Sequence, residues 1–234
     1  MKYKLGEVCE IIAGQIINRV SCEKDEAYPG ARPVTVLLPS AINGGMIDAD
    51  KLGYSGMDTE NWKMVVERME NRIYLKKDPE VDPTLKEKFT KKYDILMKLS
   101  SPYDCALITA DVEDILVPSF CAIIRVRDDK IDPEYKVYES FLMGVLNSKR
   151  VRDKLLMGVQ STAMSMVRIK TLKELEIDFP PSFEQSYIGA AYYESCRRRW
   201  LLDCMARNQQ EISDAIMEVS LEKYWKEEGE SGNE

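Results

Sequence analysis

The sequence predicts an α+β domain, a mixed or antiparallel sheet with helices, followed by a long C-terminal coiled-coil α-helix. Three observations carry this. Short apolar, β-branched runs are separated by Gly and Pro rather than by long helices, which favours antiparallel pairing over a doubly wound parallel sheet. Residues 182–225 contain no proline and a single glycine, Gly189. At about 1.5 Å per residue such a helix reaches roughly 65 Å, longer than a single globular unit needs. Within it Leu202, Met205, Gln209, Ile212, Ile216 and Val219 alternate steps of three and four, the seam of a coiled coil, with Gln209 as its polar member. The expected organisation is a domain over 1–181, a dimerising helix over 182–226 and a disordered acidic tail over 227–234.

In chain order, residues 5–8 form a turn into a strand over 9–13, and Gly14-Gln15 begins a polar loop with Asn18 and Arg19. A buried strand is expected over 34–38, a tight turn at the Asn-Gly of 40–45 and a surface loop over 47–61. Strands follow over 64–66 and 73–75. The charged stretch 76–92, with two Asp-Pro units, reads as an exposed connection or short helix. Further strands are expected over 94–99, 105–109 and 120–126. Asp132-Pro133 reads as a helix start, Asp as cap and Pro at the first helical position. Tyr135, Tyr138, Phe141, Leu142 and Val145 then share one core-facing side. A second helix covers 149–157 and ends at Gly158.

The totals exclude several chemistries. The chain has no histidine, so Ser-His-Asp and Cys-His pairs are impossible within it. Its six cysteines, Cys9, Cys22, Cys105, Cys121, Cys196 and Cys204, contain no C-x-x-C pair, and reduced buried thiols in a cytoplasmic protein are expected rather than a metal site. No apolar run reaches the roughly 20 residues of a membrane span, and the N-terminus lacks a signal-peptide core. The net charge of −7 opposes a surface coated in phosphate-binding residues, but it is unevenly spread. Residues 149–173 hold seven basic side chains and one acid, whereas 222–234 hold five acids and two lysines.

The joint over 158–188 organises the rest. Thr171 with Glu174, and Ser182 with Gln185, have capping-box spacing. Pro180-Pro181 ends a strand over 176–179 and launches the long helix. Gly158, Leu172, Leu175, Ile177, Pro180, Pro181, Glu184, Gln185 and Ile188 follow a G…L-x-x-L-x-I-x-x-P-P-x-x-EQ-x-x-I pattern. Together with the opening LGEVCEIIAGQ of 5–15 and Tyr93-Asp94-Ile95-Leu96, this resembles the specificity subunits of type I restriction–modification systems. In that family the pattern hands a target-recognition domain over to a conserved helix. The family usually carries two such domains and two helices, so the resemblance implies half a subunit.

What the resemblance implies is a non-catalytic DNA-recognition subunit without cofactor. Its partners would be double-stranded DNA, a second copy or another half-subunit, methyltransferase subunits and possibly a restriction or translocase subunit. Family base contacts sit on divergent loops, so the candidates here come from residue chemistry. For base edges they are Gln15, Asn18 and Arg19; Lys98, Ser100, Ser101 and Tyr103; and Gln160, Ser161 and Thr162. Arg150, Arg152, Lys154 and Arg168 are the phosphate candidates. Two rival readings stand beside this one. One is a coiled-coil adaptor that never touches DNA. The other is a metal-dependent nuclease using Glu134-Tyr135-Lys136 with Asp111 or Asp114, disfavoured because Glu134 would sit in a helix first turn. A methyltransferase is disfavoured too, since Phe179 rather than Asn or Asp precedes the double proline.

Overall fold

The computed structural model describes residues 1–52, 71–109, 114–127, 136–157 and 166–231, together with the backbone of Tyr54–Asp58 and Lys63–Val66. Contacts divide the chain into two compact units, Met1–Glu194 and Ser195–Glu234.

The first unit is the expected α+β structure. It opens with β1 (Lys2–Lys4), α1 (Leu5–Val8), β2 (Cys9–Ala13), α2 (Ile17–Val20) and β3 (Ser21–Cys22). Short strands follow: β4 (Val34–Thr35), β5 (Ile42–Asn43), β6 (Met46–Ile47), β7 (Tyr54–Asp58), β8 (Lys63–Val66) and β9 (Arg72–Leu75). Then come α3 (Pro83–Lys86), β10 (Ile95–Lys98), β11 (Cys105–Leu107), β12 (Cys121–Val126), α4 (Glu139–Leu146), α5 (Lys149–Met157), α6 (Ile169–Lys173) and β13 (Glu176–Asp178). The helix α7 (Ser182–Ser231) begins in the first unit and makes up the second.

A four-stranded sheet ordered β11-β10-β12-β2 lies at the centre, with every neighbouring pair antiparallel. Its strands are apolar on both faces, so both must be covered. Ile11, Ile95, Met97, Ala122 and Ile124 turn to one side, against Leu5, Phe141, Leu142, Leu146, Val151, Leu155 and Leu172 of the helices. Alternate residues Ile12, Leu96, Cys121 and Ile123 turn to the other, against Leu37, Ile42, Leu52, Ile108, Ile115 and Val117. The period of two in a strand thus builds two cores from one sheet. β1 pairs antiparallel with β13, Tyr3 opposite Ile177, and the N-terminal amine donates to Phe179 O at 2.7 Å.

Several expectations are met at residue level: α1, β2, the helix over 149–157, and a short helix within 76–92, α3, which the Asp82 carboxylate caps through the Thr84 and Leu85 N–H groups. Others are corrected. The strand over 34–38 shrinks to Val34–Thr35, and the surface loop over 47–61 contains β7. The tight turn centres on Gly44-Gly45, both at positive φ (56° and 98°), joining β5 to β6 as two-residue hairpins of mirror-image turn type require. The fourth helix starts at Glu139, residues 136–138 being non-helical; Asp132-Pro133 and Tyr135 lie outside the described residues.

The caps also differ. Arg168, not Thr171, precedes α6, and Glu174 ends that helix and holds Lys4 at 2.6 Å. The first bond of α7 runs from Gln185 N–H to Pro181 O, which makes Ser182 the first helical residue rather than the cap. Gln185 is fully buried; its amide donates to Pro180 O and its oxygen accepts from Tyr138 N–H. The glutamine therefore bolts the start of α7 to the start of α4. Gly189 continues that contact, since a Cβ there would lie 2.5 Å from Phe141 N. The helix runs on through Ser231.

An ion pair in this scaffold holds a buried carboxylate, that of Asp94. Arg125 of β12 donates from Nε to Asp94 Oδ1 at 2.8 Å and from a terminal nitrogen to Oδ2 at 3.0 Å. Burial pushes the Asp94 carboxyl up, while Arg125 pulls it back. A raised folded pKa favours the protonated acid. The contribution of Asp94 to stability is therefore complete below its unfolded pKa and is lost as pH rises through the folded value. Arg125→Met should cost about 3–5 kcal/mol at pH 7 and distinctly less at pH 5, read from urea unfolding, because protonating Asp94 removes the stranded charge. Tyr103 offers a second test: it is 1% exposed, and its hydroxyl has no hydrogen-bond partner among the described residues. Tyr103→Phe should leave stability unchanged or raise it by about 1 kcal/mol, measured by thermal melting.

Candidate nucleic-acid interface

The site is built at one end of the four-stranded sheet. The registers place Ala13 opposite Ala122, Lys98 opposite Cys121 and Met97 opposite Cys105, so the last residues of β2 and β10 and the first of β11 and β12 share that end. The segments leaving it are the first two polar clusters of the sequence.

They are locked together by backbone bonds. Gln15 N–H donates to Val117 O at 2.7 Å, and Ser119 N–H returns to Gln15 O at 2.8 Å. Leu99 N–H donates to Phe120 O at 2.9 Å, and Leu99 O accepts from Val167 N–H at 2.8 Å. The turn over 118–120 therefore joins the loop of Gln15 to the loop of Ser100, and residue 167 is fastened to the same point. Gly14 makes the approach possible: a Cβ there would lie 2.0 Å from Pro118 O, inside any tolerable contact.

The candidates divide at this end. Asn18 and Arg19 are exposed on the single turn α2, where a loop was expected. Gln15 is half-buried, with its amide donating to Ile16 O at 3.3 Å. Ser100 and Ser101 are exposed at the tip of the turn between β10 and β11. Tyr103 is corrected from a base-reading candidate to a core residue, packed among the helix-side apolar cluster. Gln160, Ser161 and Thr162 lie outside the described residues, as do Glu134, Tyr135 and Asp111 of the nuclease reading.

Two cations expected at the surface are committed inward. Asp104 accepts from Lys98 Nζ at 3.1 Å on one oxygen and from Arg152 at 2.8 Å on the other. Arg152 also donates to Asn147 Oδ1 at 3.1 Å. Asn147 in turn holds both backbone groups of Cys105, accepting from its N–H and donating to its carbonyl, each at 2.9 Å. This network fastens the start of α5 to β11 and braces the Ser100–Ser101 turn. Arg152 is thereby corrected from phosphate candidate to brace; the cluster of two cations and one carboxylate keeps one positive charge.

The other basic residues separate. Arg168 is exposed one residue past the Leu99 contact. Arg150 and Lys154 instead line clefts beside β13, where Glu176 and Asp178 also face them; one such cleft, with Lys154, Lys170, Thr171 and Glu174, has a volume of about 500 Å³. Among the described residues no carboxylate holds Arg19 or Arg168. No group of three metal-ligating side chains occurs among the described residues either, and none of their helices is long and apolar enough to cross a membrane. Burial raises the thiols of Cys9 and Cys121 to about 12, and Cys105 higher still, which fits packing rather than nucleophilic chemistry.

In the second unit the seam residues Leu202, Met205, Gln209, Ile212, Ile216 and Val219 are all exposed on α7. They form an apolar stripe with Gln209 as its one polar member.

The residue that sequence reasoning passed over is Phe120. It stands at the centre of the loop end and is 57% exposed. Its apolar character placed it in a strand, and only the register reveals that the strand starts one residue later.

No protein-family model and no curated protein matches the sequence. Solved structures do. A chain from a structure on complex assembly and conformational transition of the type I R-M system superposes with a TM-score of 0.50 at 17% identity, covering 86% of this chain and 39% of its own. The HsdS subunit from Thermoanaerobacter tengcongensis gives 0.48 at 19% identity, covering 85% and 37%. The type I restriction–modification S subunit from M. genitalium gives 0.44 at 16%, covering 82% and 37%. The chain thus spans about two fifths of the length of the solved chains it matches. What is shared at these identities is the architecture: this chain has the fold of the type I restriction–modification chain.

Proposed function

We propose that this chain is a non-catalytic, sequence-specific DNA-recognition subunit of a type I-like restriction–modification system. The loop end of the sheet reads a half-site in double-stranded DNA, with Asn18, Arg19, Ser100 and Ser101 offered to base edges and Arg168 to phosphate. The exposed stripe of α7 pairs with a second copy or another half-subunit, and the assembly docks methyltransferase and possibly restriction subunits. Two copies related by a two-fold axis would recognise a two-part, palindromic site. The observation that carries this reading is the convergence of separate polar segments on one sheet end, hydrogen-bonded into a single surface, in a chain with this fold. Polar loops held by a sheet, beside cations that no carboxylate holds among the described residues, suit recognition of base edges and phosphates.

The test is fluorescence anisotropy with a mixed-sequence duplex of about 30 base pairs across 50–200 mM salt. Binding should weaken steeply with salt, and Arg168→Ala should reduce the log–log slope by about 1. Absence of salt-dependent binding would reject DNA recognition and favour the adaptor. Light scattering at micromolar concentration should give the mass of two chains, with Ile212→Lys and Ile216→Lys shifting it to one; a wild-type monomer would remove self-pairing from the proposal.

A further inference from the structure

Ile16, Phe120 and Met166 are 44%, 57% and 37% exposed. Single exposed apolar residues are ordinary on protein surfaces. These three are different, because each is at or next to a residue of one backbone hydrogen-bonded cluster, the one formed by Gln15, Ser119, Phe120, Leu99 and Val167. Three distant stretches of sequence thus deliver an apolar side chain to the same end of the sheet.

Phe120 is also held rigid before anything binds. Its turn is closed by Cys121 N–H donating to Pro118 O at 2.9 Å, and its own carbonyl is bonded to Leu99 N–H. Pro118 is pressed against Gly14. An aromatic ring with a fixed backbone loses little conformational freedom when it stacks. The exposed Ser100 and Arg168 directly follow Leu99 and Val167 of that cluster, and the exposed Ser101 and Arg19 lie further along the same two segments that leave Leu99 and Gln15. An apolar centre with a cationic and hydroxyl rim complements a base stack flanked by phosphates.

We propose that Phe120 is a DNA wedge, its ring inserting at or stacking on an opened base step while Ile16 and Met166 flank it in the groove. This rests on the DNA-recognition reading and adds a contact by which the protein selects deformable steps, independently of hydrogen bonds to base edges.

The test uses the full chain and two fluorescent 30-base-pair duplexes of mixed sequence, one fully paired and one with a single central mismatch. A mismatch lowers the cost of unstacking, so the wild type should bind it several-fold more tightly. Phe120→Ala should bind the mismatched duplex about tenfold more weakly than wild type, without changing the salt slope. Phe120→Trp should restore the preference, with tryptophan fluorescence quenched on binding. Circular dichroism melting confirms that the variants fold. Salt-dependent binding with equal affinities for wild type and Phe120→Ala would overturn the wedge alone, leaving the apolar trio to a protein partner. Failure of the wild type to bind either duplex would overturn the DNA-recognition reading, and the wedge with it.

Discussion

A sheet that is apolar on both faces has nowhere to put function except at its ends. Alternate residues of β2, β10 and β12 point into two separate cores, one roofed by helices and one by the segment over 37–52 together with Ile108, Ile115 and Val117. Each roof protects one face from water, and the burial involved is the dominant favourable term in folding. The loops at the Ala13, Lys98 and Cys121 end are left as the free surface of this sheet. They are positioned by strand register rather than by their own sequences, which is how variable loops can be held by a constant frame.

This explains which features the sequence disclosed. Strand and helix identities follow from local periodicity, and β2, β8, β9 and α5 were legible to within a residue or so. So was the lone Gly189 as an anomaly in a long helix, although its cause, the backbone of Phe141 against it, lies 48 positions earlier. The long helix itself was legible because helix periodicity is a property of one segment alone.

Partnerships across distance were not legible. Lys98, Tyr103 and Arg152 have the chemistry of a binding surface, yet two are consumed by Asp104 and the third is enclosed by the helix-side core. Nothing in a linear pattern says that Arg152 will meet a carboxylate on another element. The spacings of Thr171 with Glu174 and of Ser182 with Gln185 misled for a related reason. Tertiary contacts with Lys4, Pro180 and Tyr138 took the side chains that a local box would have used. Phe120 escaped notice for the opposite reason: composition treats an aromatic residue before a strand as core, and only the register leaves it outside.

The seam between β1 and β13 has an architectural consequence. With the N-terminal amine bonded to the carbonyl of Phe179, the first strand and the strand that leads to α7 close the folded body at one seam. The two ends of this body are thereby held to each other, so neither can fray without opening the same short ladder.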